Sequence, residues 1–379
     1  MAETRVDVPT GDLDRRLMAV ALRLGRRNLG QTFPNPAVGA LIVRTESGGP
    51  RIVGQGWTAI GGRPHAETEA LAEAGEAARG ATVYVTLEPC SHFGATPPCA
   101  NALVRAGVRR VVSAMADPDP RVAGRGHDIL RQSGILVTTG ILEPEARAAH
   151  AGHVARVTTG RPHVMLKLAV SADGMIGRQG GERVMISGEP AQDRVQGMRY
   201  EADAILIGIG TALADGPLLT VRLPGLARRS PIRIVLDRAA RLPISSRLVA
   251  SAEEVPLLLM VGAEAPADRR EALANLGVTI VEVPAVPDGL DLSKVLAALG
   301  ERGITRVLAE GGAHVAAALI AGNLADEVVL LRSPHRIGAG GVPALAGLDL
   351  SAVESGPFYR LVEDEWVGAD RLRRYRRAA

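Results

Sequence analysis

Apolar residues recur at helical spacing in Leu13, Leu17, Val20 and Leu24, just after Asp12, a residue type suited to an N-cap, and predict an opening helix. The short runs AVGALIVR and RIVGQGW, split by a turn segment, predict a hairpin. A helix from His65, the strand ATVYVTLEP, a helix after Pro98, the strand RVVSAMAD, a helix near Gly126 to Ser133 and the strand ILVTTGI follow. This alternation predicts a three-layer α/β unit. An Ala- and Arg-rich helix over 143–157 leads to VTTGRP, where Gly160 and Pro162 punctuate the chain, so a domain boundary is expected near Val157. Beyond it, HVMLKLAVSADG, ADAILIGIG, PIRIVLDR, VPLLLMVG, VTIVEVP, RVLAEGG and EVVLLRSP predict strands with helices between them, one spanning Glu189 to Tyr200. Residues 1–157 and 158–379 are therefore expected as two α/β domains, each long enough for its own core.

The 379 residues carry 44 Lys plus Arg against 41 Asp plus Glu, with 46% hydrophobic residues, which supports packed cores and excludes a disordered or collagenous chain. Only nine residues are aromatic and the net charge is +3, so a dedicated nucleic-acid binder is disfavoured. No stretch has the length of a signal peptide's apolar segment or of a membrane helix, and a cytoplasmic, membrane-free protein is expected. Lys167 and Lys294 are the only lysines. Lys167 stands out because it interrupts an apolar strand, where an ammonium needs a partner or a purpose.

Chemistry concentrates first in H-A-E, His65 to Glu67, and in EPCSHFGATPPC, which holds the only two cysteines, Cys90 and Cys99. One imidazole and two thiolates make a three-ligand zinc site with a position left for water. Glu67 is placed to move protons between water and a leaving amine, as in the zinc nucleobase deaminases, whose signature is H-x-E followed by P-C-x-x-C. Here eight residues separate the cysteines, so an enlarged loop with added substrate contacts is expected.

TFPNPAVG, PHAE, VTLEPCSHFGATPPC and DPDPRVAGRG together resemble the deaminase half of the bifunctional riboflavin-biosynthesis deaminase/reductase family. The resemblance implies a cytidine-deaminase-like fold acting on a phosphoribosylamino-pyrimidine. By position it makes His65, Cys90 and Cys99 the zinc ligands, Glu67 the acid/base and Asn35 a substrate contact. Thr58, Ala95 and Asp119 depart from the His, the Lys or Arg, and the Asn common at those places. Arg63, Arg121 and Arg125 are the candidates to replace a cation absent from Ala95, weighed against their being ordinary surface residues.

RPHVMLKLAVSADG, ADAILIGIGTALADGPLLTVR, PIRIVLDR and LAEGGAHVAAALI are similar, in order, to the reductase half of the same family. That half resembles dihydrofolate reductase in fold and uses NADPH. By the resemblance Lys167, Asp215 and Glu310 form a catalytic polar cluster, and Leu219, Arg183, Arg199, Arg222 and Glu310 contact substrate, the last two arginines at its phosphate. Ala169, Met185, Thr211, Asp215, Arg238, Gly312, Ala313, His314, Val315, Ala316, Ala317 and Ala318 line the NADPH site. GIGTAL is not a dinucleotide fingerprint, since Leu213 takes the third glycine's place. Arg183, Met185 and Arg238 replace residues usual in the family, and the two arginines point either to a 2′-phosphate contact or to a weakened cofactor site.

The expected activity is zinc-dependent deamination of a phosphoribosylamino-pyrimidine, then NADPH-dependent reduction of ribosyl to ribityl, in a homo-oligomer. The rivals are a deaminase with a degenerate second half, a nucleic-acid base deaminase with an appended domain, and a non-catalytic binding protein on this scaffold. The terminal RLRRYRR is read as a solvated last strand.

Overall fold

The computed structural model describes residues 10–93, 97–180 and 184–378, which form two compact units, Met1–Gly160 and Arg161–Ala379. The expected boundary at Val157 falls inside the last helix of the first unit.

In the first unit α1 (Thr10–Gly25) precedes the hairpin β1 (Gly39–Glu46) and β2 (Gly49–Trp57). Then come α2 (Ala66–Ala74), β3 (Thr82–Val85), α3 (Cys99–Ala106), β4 (Arg110–Ser113), α4 (Arg125–Gln132) and β5 (Leu136–Thr139). α5 (Glu143–Ala149) and α6 (Ala151–Thr159) stand where one helix was expected. The sheet runs β2-β1-β3-β4-β5, antiparallel through the hairpin and parallel from β3 to β5. Glycines set its two faces. Ala40 and Ile42 pair with Gly56 and Gly54, and a Cβ at either glycine would strike the backbone of α2. Gly39, on the opposite face, lies directly against the backbone of α1 at Ala21. Bare backbone thus lets a helix seat closely on each side, giving the three layers. Asp14 ties α1 to the sheet: it accepts from the Tyr84 hydroxyl at 2.8 Å and bidentately from Arg110 at 3.0 and 2.7 Å.

The second unit contains β6 (His163–Val170), β7 (Met175–Arg178), α7 (Glu189–Tyr200), β8 (Ala204–Gly208), α8 (Ile209–Asp215), β9 (Ile232–Leu236) and α9 (Arg247–Ala250). It continues through β10 (Leu257–Val261), α10 (Ala267–Ala274), β11 (Thr279–Glu282), β12 (Ala285–Val286), β13 (Gly289–Leu290), α11 (Leu292–Glu301) and β14 (Arg306–Ala309). It ends with α12 (Ala313–Ala321), β15 (Glu327–Arg332), β16 (Gly341–Pro343), α13 (Ser351–Glu354), β17 (Tyr359–Val367) and β18 (Asp370–Arg377). Nine strands lie in the order β11-β10-β9-β8-β14-β6-β15-β18-β17, parallel from β11 to β15, with β18 antiparallel to both neighbours. Each face buries its own core. Val164, Leu166 and Leu168 pack with residues of α11 and α12, while Ile205, Ile207, Val235 and Leu259 pack with Ala191, Val195 and Met198 of α7. The arginines of β18 are not simply solvated: Arg371, Arg374, Arg376 and Arg377 pair with Asp364, Glu363, Glu327 and Asp326, and Tyr375 is buried.

Candidate functional site

In the first unit His65 caps α2 with extended backbone, which turns its ring back toward the chain that leaves β3. Cys90 follows β3, and Cys99 opens α3. The His65 Nδ1 lies 3.4 Å from Cys99 Sγ and 3.7 Å from Cys90 Sγ, and the three donor atoms fall within 4.8 Å of one another. The Cys99 amide donates to Cys90 Sγ at 3.2 Å. Hydrogen bonding from the Cys99 thiol, with help from the His65 ring and the Cys99 amide, holds the Cys90 thiol down at about 4, whereas that same bond and burial push Cys99 up. One thiolate is favoured by the protein alone; a divalent cation is what stabilises two thiolates side by side. One nitrogen and two sulfurs are a zinc donor set, and the residues fit that ion.

Glu67 sits in the first turn of α2, two residues after His65, and is buried. Burial, and then the charge of Cys90, push its carboxyl up to about 7, so it exchanges protons near neutral pH. Asn35 donates to the Gly62 carbonyl at 3.2 Å, and Gly62 at φ 85 leaves no room for a Cβ beside that amide. Thr58 is buried: its hydroxyl donates to Pro36 O and accepts from Val38 N, both at 3.0 Å, so it braces the segment after Asn35. Ala95 lies outside the described residues.

In the second unit, the register Ala309↔Leu166 between β14 and β6 places the next pair, Glu310 and Lys167, side by side. Lys167 is on the face opposite Leu166 and Leu168, which resolves its place in an apolar strand: its Nζ lies 3.5 Å from Glu310 Oε2. Arg199 of α7 donates Nε to Glu310 Oε1 at 2.7 Å, Nη2 to Oε2 at 2.9 Å and Nη1 to the Thr220 carbonyl at 3.1 Å. Burial opposes the charge on Glu310, but Lys167 and Arg199 hold its carboxyl down at about 2. Arg199, expected at a substrate phosphate, thus commits its guanidinium to Glu310 and Thr220. That ion pair joins residues 111 apart in sequence and leaves no local trace.

These groups line a cleft of about 610 Å³ together with Ala169, Met185, Thr211, Asp215, Leu219, Arg222, Gly312, Ala313 and His314. Asp215 is exposed at the end of α8 and makes no ion pair with Lys167 among the described residues. Leu219 is buried at φ 56, a conformation unfavourable for its side chain, in the cleft wall. Arg183 lies outside the described residues. A second cavity of about 760 Å³ shares Gly210, Thr211, Gly312 and His314 with the first and is walled by Ile209, Leu236, Pro287, Leu290, Val315 and Ala318, with Arg238 and Arg241. Arg238 pairs with Glu264 and donates to the carbonyls of Val286 and Pro287 at 3.2 and 3.3 Å. Of the expected cofactor run, Ala316 and Ala317 are buried and line neither cavity, because α12 presents His314, Val315 and Ala318 toward the second cavity and turns Ala316 and Ala317 inward.

Residues 162–365 match the RibD C-terminal domain, and residues 12–115 match the cytidine and deoxycytidylate deaminase zinc-binding region. The riboflavin biosynthesis protein RibD of Escherichia coli is 40% identical over 370 residues, covering 94% of this chain and 97% of the relative. That of Aquifex aeolicus is 35% identical over 359 residues, covering 95% and 97%. Among solved structures, Acinetobacter baumannii RibD superposes with a TM-score of 0.85 at 36% identity, covering 97% of this chain and 100% of that one. The diaminohydroxyphosphoribosylaminopyrimidine deaminase/5-amino-6-(5-phosphoribosylamino)uracil reductase of Thermotoga maritima gives 0.83 at 32% identity, covering 97% and 100%.

Proposed function

The chain belongs to the RibD family of riboflavin-biosynthesis deaminase/reductases, and from that premise we propose how its own residues divide the two reactions. The first unit deaminates 2,5-diamino-6-(5-phosphoribosylamino)pyrimidin-4-one, and the second reduces the ribosyl group of the product to ribityl. The observation that carries this assignment is the convergence of His65, Cys90 and Cys99 beside a buried Glu67.

His65, Cys90 and Cys99 would hold one zinc ion, and zinc there would supply a water acidified toward neutral pH for hydrolysis at the ring carbon that bears the departing amine. Glu67 accepts a proton from the attacking water and returns it to the departing amine; its burial raises the carboxyl's basicity for the first step. Asn35, fixed by Gly62, orients the pyrimidine ring.

In the second unit NADPH supplies the hydride. The residues that would hold it line the two adjoining cavities: Lys167, Thr211, Asp215 and Gly312 in the first, and Ile209, Leu236, Leu290 and Val315 with Arg238 and Arg241 in the second. Gly312, the N-cap of α12, has no Cβ and would leave room for the cofactor's phosphates at the helix N-terminus. Lys167 Nζ, kept beside the buried Glu310 anion, donates the proton to the sugar oxygen as the ring opens, with Asp215 at the same cleft. Arg199 fixes Glu310, and the exposed Arg222 takes the substrate phosphate.

Among the described residues no helix is long and apolar enough to cross a membrane, and a cytoplasmic location fits a pathway that acts on small soluble metabolites. A homo-oligomer is supported by Phe358, Leu361, Val362 and Trp366, apolar and exposed on or beside the edge strand β17. Mass spectrometry of the pyrimidine after incubation with zinc-loaded protein tests the assignment: the deaminated ribosyl compound is expected without NADPH and the ribityl compound with it. A pyrimidine that keeps its amino group would refute it.

A further inference from the structure

The substrate proposed for the first unit carries a phosphate, and, resting on that reading, a cation is required near the His65, Cys90 and Cys99 cluster. Glu88, two residues before Cys90, is buried, and its carboxylate accepts four main-chain amides from one segment. Oε2 takes Asp117 N at 3.2 Å and Gly124 N at 2.9 Å; Oε1 takes Gly126 N at 2.9 Å and His127 N at 3.3 Å. A Cβ at Gly126 would strike the Pro89 carbonyl, so the same segment packs directly on the residue before Cys90. Ser91 Oγ adds a long bond of 3.5 Å to the Arg121 carbonyl. A buried carboxylate satisfied this fully fixes its partners in place, and the loop 117–124 is therefore held rigidly against the chain that carries Cys90.

That loop presents one cation in a set orientation. Asp119 is buried, 5% exposed, and accepts Arg121 Nε at 3.0 and 3.1 Å, Arg121 Nη2 at 2.6 Å and the Arg121 amide at 2.9 Å. The Arg121 side chain is itself 71% exposed, and its Nη1 makes no hydrogen bond or ion pair among the described residues. Pairing along one edge of the guanidinium leaves its other edge free in a fixed plane, the geometry that meets two phosphate oxygens. Its side-chain freedom is already spent in the pair, which lowers the cost of capturing a ligand. Bonding to Arg121 also holds the Asp119 carboxyl down, so the pair is charged on both sides at neutral pH. Arg125, exposed at the start of α4 directly after the loop, has no side-chain partner among the described residues to orient it.

We propose that Arg121 binds the substrate's ribosyl phosphate in the deaminase site, with Asp119 and Glu88 as the positioning residues that present it. The test uses the zinc-loaded full chain and follows ammonia release from the phosphorylated pyrimidine and from its dephosphorylated riboside. Arg121→Leu is expected to raise KM for the phosphorylated compound about tenfold or more, the usual worth of a charge-assisted hydrogen bond. It should leave kcat, zinc content and KM for the riboside near wild type. Arg121→Lys should restore part of the loss, and Arg125→Leu, which removes the same charge four residues on, should shift KM less than about threefold on the scale of an exposed charge. The proposal is overturned if Arg121→Leu keeps the wild-type preference for the phosphorylated compound, if it raises KM equally for both compounds, or if Arg125→Leu matches its effect. Wild-type protein that releases ammonia from neither compound would instead bring down the deaminase reading itself.

Discussion

Lys167 Nζ, on β6, stands 3.5 Å from Oε2 of Glu310, the residue that follows the adjacent parallel strand β14, with Arg199 bonded to both oxygens of the same carboxylate. One buried anion thus holds two cations at the cleft, and removing it leaves both uncompensated. Glu310→Gln should abolish NADPH oxidation on the deaminated intermediate while ammonia release by the full chain continues. Retention of more than about a tenth of the reductase rate, well inside the range a positioned charge normally commands, would remove Glu310 from the reaction.

The same carboxylate gives a pH signature. Its ordinary value of 4.5 falls to about 2 in the fold, a gap worth about 3 kcal/mol of stability. Because the folded value is the lower one, this stability is fully present above about pH 4.5 and drains away as pH falls toward 2. Denaturant melts should therefore show Glu310→Gln well below wild type at pH 7, with the gap narrowing from pH 4.5 to 3. A gap independent of pH would mean that the loss comes from packing and not from charge.

Cys90→Ala should lose zinc, read by elemental analysis, and ammonia release with it. Reduction of the supplied deaminated intermediate should be unchanged, since the zinc donors all lie in the first unit. Full deaminase activity in protein stripped of metal would end the zinc assignment.

Glu67→Gln keeps the shape of the side chain and removes its basicity. Zinc content should stay at one per chain while deamination falls about 10²- to 10⁴-fold, the range for a general acid/base. A fall of only two- or threefold would place the proton on another group.

Gly56→Val is a packing test of the same centre. The new side chain would press on the α2 backbone at Ala66, beside His65 and Glu67. Overpacking of this kind costs about 1–3 kcal/mol. Zinc affinity and deamination should both fall, with reductase activity unaffected; normal zinc affinity would show that α2 tolerates the shift.

The convergence of His65, Cys90 and Cys99, with Glu67 two residues from the His, was legible in the sequence because a metal donor set demands specific residue types, and the strand and helix periods placed them at element ends. Lys167 announced itself as a charge inside an apolar strand. Interactions made by ordinary residue types across long separations were not legible. Glu88 reads as one more acidic residue until four amides from residues 117–127 converge on it. Asp14, Tyr84 and Arg110 lie on three elements, and nothing local to any of them predicts their cluster. The run from Gly312 to Ala318 was read as one lining because sequence order does not show which side of a helix faces a cavity; the helical turn sends Ala316 and Ala317 into the interior.

The coupling of two chemistries in one chain is tested most directly by following ammonia and NADPH together, with purified zinc-loaded protein and the phosphoribosyl diaminopyrimidine. The expected result is ammonia release without NADPH and, with NADPH present, one NADPH oxidised per ammonia after a lag. Glu67→Gln should block both signals, and adding the deaminated intermediate should restore NADPH oxidation. Ammonia release with no NADPH oxidation, even on supplied intermediate, would contradict this account and leave a deaminase whose second unit, through Arg183, Met185 and Arg238, no longer works with the cofactor.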